Sequence, residues 1–235
     1  MILDMIERIK GGVIIMAGID EGINWEAVIR EAQTAHRYIN SFAWDFSRVV
    51  SNFAAEMSVI WASGNAVKFG RFLIDKDNKM MDLQKQYSDM FGNYVNNAMN
   101  IYKNTLSVQG PSYNLAYGNG ASSTKLGFVN GYKFEEIKNG ISGMNKAAVA
   151  DAIVRFSKNM NDFTEKFKSN ITSVHISIFD HAGAQKAAFD LMVGAIVEHL
   201  NSAAKEIIDE VQSHVDEEID NMMLARNKTV NAFTA

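Results

Sequence analysis

Trp61-Ala62-Ser63-Gly64 is the stretch that decides the fold, because it lies between two long helical patterns. On its N-terminal side, apolar residues recur at alternating steps of three and four, as one face of a helix requires. This pattern begins at Trp25 and ends at Ile60, and only Glu56 interrupts it. Asn24 is a suitable N-cap for a helix of this length.

A second pattern of the same kind follows the break, from Phe69 to Ile101. Its polar positions are Lys76 and Asn97. Neither apolar face can remain in water, and a break this short makes the two helices antiparallel neighbours. The sequence therefore predicts a helical hairpin over residues 23–108, with Trp61 at its bend.

The C-terminal part of the chain predicts a second hairpin, over residues 134–235. A short helical piece is expected from Phe134 to about Lys138, and Asn145 then caps a long helix whose apolar face reaches Ile178. Asp180 is the expected cap of the last helix. We expect the polar end of that helix, residues 226–235, to fray.

Two segments lie outside the hairpins. Residues 109–133 are rich in glycine and serine but also contain aromatic residues, so we expect an ordered connecting loop. Residues 1–22 form an N-terminal arm that either docks on a neighbouring molecule or covers one end of the bundle as a small helix. The predicted fold is all-α, with two antiparallel hairpins in an elongated four-helix arrangement and breaks at 61–65, 109–133 and 179–183.

The two hairpins resemble copies of each other. An offset of 118 residues sets Trp61 on Phe179 and gives a group of identities around the bend without gaps. The matched pairs are Ser51 with Ser169, Asn52 with Asn170, Ile60 with Ile178, Ala66 with Ala184, and Lys68 with Lys186. Two unrelated hairpins would share the apolar periodicity but not these identities, which favours an internal duplication.

The first bend resembles that of the W-x-G family, small helical-hairpin proteins that type VII secretion systems export. Trp61 and Gly64 carry the resemblance, and the residues that open the second helix also fit: Ala66, Val67 and Phe69. Two residues separate the tryptophan from the glycine, where the family has one. The resemblance covers residues 23–108 and, more weakly, 142–225, where Phe179 and Gly183 stand at the bend.

This resemblance implies an exported protein that acts by binding other proteins. The family's export signal is a tyrosine four residues before an acid, just after the second helix. The pair with that spacing here is Tyr132 and Glu136, which lies beyond the loop.

Composition limits the other classes of function. The net charge is −4 and there is no run of lysine or arginine, so no nucleic-acid partner is expected. The longest apolar run near the N-terminus, residues 13–17, is far shorter than a membrane span. The chain has no cysteine, which excludes disulfides and thiolate chemistry. The lack of cysteine leaves the compartment open, so the location is unknown from composition; the resemblance and the alternative of a phage or virus particle favour an extracellular or virion location over a cytoplasmic one.

We expect no catalytic, cofactor or metal site. No two of the five histidines lie four residues apart, and none has a glutamate three residues before it, so the helical zinc and di-iron patterns are absent. His199 and His214 border the apolar face of the last helix, and His181 lies beside Asp180 at the second bend. The acidic group near the C-terminus is interpreted as a solvated face: Asp209, Glu210, Asp216, Glu217, Glu218 and Asp220.

Two tryptophans are the residues most clearly suited to contacts. Trp61 either packs across the bend or anchors a partner. The first helix has aromatic residues on more than one side, because positions two apart differ by about 200° around its axis: Phe42, Trp44, Phe46 and Phe53. We therefore predict that something outside its own hairpin covers Trp44.

The sequence thus predicts a non-catalytic interaction and assembly protein with protein partners, a homo-oligomer or a larger assembly. A structural component of a phage or virus particle is the alternative.

Overall fold

The computed structural model describes residues 25–109, 133–174 and 184–234. Helix accounts for 87% of these residues, which confirms the predicted all-α fold. The elements in chain order are α1 (Trp25–Ile60), β1 (Trp61–Ala62), α2 (Gly64–Thr105), β2 (Gly143–Met144), α3 (Lys146–Thr172) and α4 (Ala184–Thr234).

The first hairpin begins and ends as its apolar pattern predicts. Helix α1 has 36 residues and α2 has 42, and only three residues separate them. The two helices are antiparallel. Ala43 contacts Gln84, and Ser47, which is later on α1, contacts Asp77, which is earlier on α2. Helix α2 ends three residues before Val108, because Ser107 has a φ of 52° and the Val108 N–H donates to the Lys103 carbonyl, as in a helix C-cap.

The segment before α3 closes the C-terminal end of α1. Strand β1 pairs antiparallel with β2, with Trp61 opposite Met144 and Ala62 opposite Gly143. The Asn145 N–H then donates to the Ile60 carbonyl at 2.9 Å. The last carbonyls of a helix have no partner within it, so this contact gives α1 a defined end.

The short helix predicted from Phe134 to Lys138 is wrong. Residues 133–145 contain a tight turn instead, in which Lys138 and Ile141 pair through two backbone hydrogen bonds of 2.9 Å. The two residues at the tip, Asn139 and Gly140, have φ of 53° and 77°. Asn-Gly favours this geometry, because asparagine and glycine adopt positive φ more readily than other residues.

Helices α3 and α4 also depart from the predicted ends. Helix α3 does not reach Ile178 but ends at Thr172. At this end, the hydroxyls of Thr172 and Ser173 donate to backbone carbonyls of the preceding turn. Such bonds compete with helix propagation. Helix α4 does not fray from residue 226, since it continues to Thr234. The predicted caps and bend at Asp180, Phe179 and Gly183, the arm 1–22 and nearly all of the 109–133 loop lie outside the described residues.

The chain forms two compact units, each of which draws on all four helices. The unit that contains His36 comprises Met1–Ser41, Lys85–Ala121 and Phe167–Glu198. The unit that contains Trp61 comprises Phe42–Gln84, Ser122–Lys166 and His199–Ala235. We call them the His36 unit and the Trp61 unit.

Each unit has an apolar core of its own. The His36 unit buries residues from all four helices, including Val28, Ile39, Phe91, Val95, Ile171, Phe189 and Ile196. The Trp61 unit buries Phe42, Phe46, Phe53, Met57, Phe69, Leu73, Phe156, Met160, Leu200, Ile207 and Val211. Aromatic contacts join α1 to α3 inside the Trp61 unit, with ring centroids 4.8 Å apart for Phe42 and Phe163 and 4.3 Å apart for Phe53 and Phe156.

Candidate functional site

Trp61 packs inside the bend of the first hairpin. Its side chain is 1% exposed, and its ring centroid lies 5.1 Å from that of Phe69. The indole Nε1–H donates to Ser63 Oγ at 3.0 Å and to Glu218 Oε1 at 3.2 Å. Of the two roles considered for Trp61, the structure therefore places it in the packing role, because a ring buried this deeply cannot anchor a partner from outside.

Gly64 opens helix α2 directly after the bend. Ser63 precedes it and accepts a hydrogen bond from the Ala66 N–H at 3.1 Å, which is the N-cap arrangement for α2. A Cβ atom built on Gly64 would meet nothing within 4 Å. The glycine is therefore not required by close packing among the described residues.

Glu218 is buried at this bend, so the prediction that it lies on a solvated acidic face is wrong. Besides the Trp61 indole, its carboxylate accepts a hydrogen bond from Asn65 Nδ2 at 2.7 Å. The four other acids that are exposed fit the prediction: Asp209, Asp216, Glu217 and Asp220. The spacing of apolar residues could have indicated that Glu218 is buried, because it lies on the apolar face of the helix. The residues of that face follow at steps of four, three and four: Val211, Val215, Glu218 and Met222.

Glu210, the remaining acid of that group, is half-buried rather than solvated. Lys76 Nζ lies 2.5 Å from its carboxylate, and the same Nζ lies 5.7 Å from the centroid of the Phe72 ring. The polar interruption at Lys76 in the apolar pattern of α2 thus has a partner on α4. In this partly buried pair the lysine stem covers apolar surface while its charge is neutralised.

An aromatic cluster lies next to the bend, with Phe69 at its centre. The rings of Phe53, Phe134 and His214 are 6.2, 5.9 and 5.8 Å from it, centroid to centroid. Phe134 also lies against Gly70, where an added Cβ would come within 2.5 Å of the ring. The close approach of Phe134 therefore favours glycine at position 70, a contact that the spacing of apolar residues does not predict.

A cavity of about 150 Å³ adjoins this cluster. Its walls are mainly apolar, with two cationic side chains: Ala54, Val67, Gly70, Arg71, Ile74, Lys133 and Phe134. The cavity is open on one side and has no acid or histidine in its lining. Its lining therefore offers apolar surface and the positive charges of Arg71 and Lys133.

The histidines occupy different environments. His214 is half-buried, and its ring lies 4.5 Å from that of Phe72, so it is a packing residue on the edge of the aromatic cluster. His199 is exposed. His36 is buried in its own unit, where its ring stacks on Phe91 and its Nε2 lies 2.7 Å from Ser88 Oγ. Burial lowers the pKa of His36, which keeps the ring neutral at pH 7. His175 and His181 lie outside the described residues.

Buried polar pairs between α1 and α2 were not predicted. In the Trp61 unit, Ser47 donates to buried Asp77, and the Ala43 N–H donates to Gln84 Oε1. Burial raises the pKa of Asp77 to about 6. In the His36 unit, Asn40 is also buried, and its amide has no hydrogen-bond partner among the described residues. A single sequence cannot reveal these pairs, because each polar residue in isolation looks like an ordinary interruption of an apolar face.

Trp44 lies on the opposite side of α1 from the core. It is 40% exposed, whereas its neighbours Phe42 and Phe46 are buried. Asp45 and Arg48 flank it and form an exposed ion pair of 3.0 Å. The residues that the structure describes therefore leave much of the Trp44 side chain uncovered.

The part of the chain that the structure describes contains no group of three or more histidine, cysteine, aspartate or glutamate side chains placed to hold a metal ion. No described helix is long and apolar enough to cross a membrane. Phe179 and Gly183, the predicted counterparts of the first bend, lie outside these residues.

Comparison with known proteins gave no relative from which a function could be taken. No family model, curated protein or solved structure matches this chain.

Proposed function

We propose that this chain is a non-catalytic helical protein that works by binding other protein chains in an assembly. The exposure of large apolar side chains on helices whose opposite faces are buried carries this proposal. Trp44 is 40% exposed and Val59, on the same helix, is 65% exposed. Aromatic residues on a surface are favoured contact sites, because each buries a large area with little loss of side-chain freedom.

A second group of exposed apolar residues supports the proposal from the same unit. Ile137 directly precedes the tight turn of residues 138–141, and Ile141 is the last residue of that turn; both side chains are mostly exposed. Lys138 Nζ donates to the Ser58 carbonyl at 2.9 Å, which fixes this turn beside Val59. Isolated exposed residues are normal on any protein, but a group held together on an anchored turn is typical of a contact surface.

The mass of the native protein tests this function. The protein from the cells that make it is separated by size under mild conditions, and its elution is compared with that of the isolated 26.1 kDa chain. We expect the native protein to elute at a clearly larger mass, with the partner chains present in fixed ratio. Elution of the native protein as a free 26.1 kDa chain at its cellular concentration contradicts the proposal.

We further propose that the setting is export as a helical hairpin, of the kind that the W-x-G family represents. Supporting it, a three-residue break with a tryptophan separates helices of 36 and 42 residues. The amount of protein in the medium and in the cell pellet, measured with a cytoplasmic marker as control, tests this setting. Recovery only in purified virus-like particles would favour the particle alternative, and recovery only in the pellet would count against both.

A further inference from the structure

One face of α1 carries a regular series of residues that the Trp61 unit leaves at its surface. Trp44, Arg48, Ser51, Ala55 and Val59 are spaced by four, three, four and four, so they lie along one side of the helix. Trp44 and Val59 are large and exposed, and Ser51 and Ala55 between them are small and half-buried. We call these five residues the outer face of α1.

We propose that the outer face of α1 is the docking surface for a second copy of this chain, in an antiparallel arrangement. A two-fold axis near Ser51 sets Trp44 of one copy on Val59 of the other and Arg48 on Ala55. Large residues at both ends then meet across small residues in the middle, where the helices can approach closely. A surface that complements itself after a half-turn is what a two-fold dimer requires.

Charge also favours the antiparallel direction. In this register Arg48 of one copy comes beside Glu56 of the other, one residue from its Ala55 partner. Glu56 is at the edge of the same face and bonds to Arg155 within its own chain, which leaves it one carboxylate oxygen for a further cation. A parallel pair would set Arg48 on Arg48 and Glu56 on Glu56, which like charges disfavour.

The size of the face predicts a weak dimer. Sixteen residues of helix are about 24 Å long, and one helix face of that length buries far less than the roughly 800 Å² per partner of a standard stable interface. We therefore expect a dissociation constant in the micromolar range or weaker, so the dimer forms on raising the concentration. This inference rests on the proposed function and names the partner at the Trp44 surface.

The absence of cysteine from the chain allows a direct test by disulfide cross-linking. Ser51→Cys lies near the proposed axis and is expected to form a disulfide-linked dimer under mild oxidation. Arg48→Cys and Ala55→Cys are each expected to stay monomeric alone but to cross-link when mixed. In the antiparallel register, identical copies of either residue lie about 10 Å apart along the helix, too far for a disulfide.

Ser213→Cys is the matched control, because it adds an exposed thiol on α4 of the same unit. Cross-linking of Ser51→Cys no faster than this control overturns the proposal. Efficient cross-linking of Arg48→Cys with itself overturns the antiparallel direction, because that outcome requires a parallel pair.

Sedimentation of the full chain gives the second measurement. We expect Trp44→Ala to weaken the dimer by at least tenfold, with helix content by circular dichroism unchanged. Leu191→Ala, which removes an exposed apolar residue of the other unit, is expected to leave the dissociation constant unchanged. A wild-type chain that stays monomeric at millimolar concentration overturns the self-docking proposal. If the native protein nevertheless elutes in a larger complex, the proposed function survives with a different chain as partner.

Discussion

Asp77 provides the sharpest quantitative prediction. Its carboxyl is buried between α1 and α2, where the Ser47 hydroxyl donates a hydrogen bond that favours its charged form. Burial raises the pKa of Asp77 from 3.8 to about 6. The folded protein therefore holds a proton on Asp77 at pH values where the unfolded chain has released it.

The sign and size of the effect on stability follow from linkage. Because the pKa is higher in the folded state, folding is favoured below the unfolded pKa of 3.8, and this contribution is lost as pH rises through about 6. A difference of about two pH units corresponds to about 3 kcal/mol in the free energy of unfolding. We expect Asp77→Asn to remove the loss, since the amide oxygen still accepts from Ser47 and carries no charge. The variant is thus expected to match the wild type near pH 4 and to exceed it by about 3 kcal/mol at pH 7.5.

Urea unfolding of both proteins at several pH values between 4 and 7.5 measures this difference. Asp75→Asn is the control, because Asp75 is two residues away on the same helix and exposed. We expect the Asp75 variant to differ from the wild type by much less than the Asp77 variant does, because Asp75 is exposed. An Asp77→Asn variant that is less stable than the wild type at pH 7.5, or a difference that stays constant across the range, would refute this account of Asp77.

Three further predictions concern packing and caps. Gly70→Ala is expected to lower the free energy of unfolding by about 1–3 kcal/mol, because the added methyl group clashes with Phe134. Gly64→Ala places its methyl group in open space and should change the free energy of unfolding by less than about 1 kcal/mol. Equal effects of the two substitutions would contradict the packing described at Gly70. Glu218→Leu should cost about 1–2 kcal/mol more than Glu218→Gln in urea unfolding, because leucine removes the acceptor of the half-buried Asn65 amide and leaves the Trp61 Nε1–H with Ser63 Oγ alone; equal stability of the two variants would show that the hydrogen bonds to Glu218 contribute little. The Asn145 side chain caps α3 by accepting a hydrogen bond from the Ala148 N–H at 3.2 Å. Asn145→Ala should therefore destabilise the protein by about 1 kcal/mol, whereas Asn145→Ser, which retains an acceptor, should not. A loss of stability in both variants would count against the capping role.

The helices of the first hairpin could be predicted from sequence because a single physical signal defines them. Apolar residues recur at steps of three and four up to Ile60, interrupted only at Glu56, and the observed helix α1 ends at Ile60. The burial of Phe42 and Phe46 with Trp44 exposed between them follows from helix geometry alone. These features depend on neighbours within one helix, and a single sequence contains all the necessary information.

The contacts at the bend could not be predicted, because they join residues that are distant in the chain. In the sequence Glu218 lies among acidic residues typical of a solvated surface, and only the folded chain brings Trp61 and Asn65 beside it. The apolar spacing from Phe134 to Lys138 predicts a short helix, but these residues are irregular and lead into the turn at Asn139 and Gly140. Helix α3 was predicted too long for a similar reason, since the apolar spacing continues past Thr172 although its last turn is rich in residues that bond to their own backbone.

The hydrogen bond from Asn145 to the Ile60 carbonyl has a consequence for the order of folding during synthesis. The C-terminal end of α1 receives this partner only after about 85 further residues have been made. At about 5–20 residues per second, a ribosome needs roughly 4–17 s to add them. Throughout that interval the nascent first hairpin carries an uncapped helix end and lacks the α3 aromatic rings that cover Phe42 and Phe53. Chaperones that recognise exposed apolar surface therefore have a window of seconds in which to bind it, and that window closes when the second half of the chain emerges.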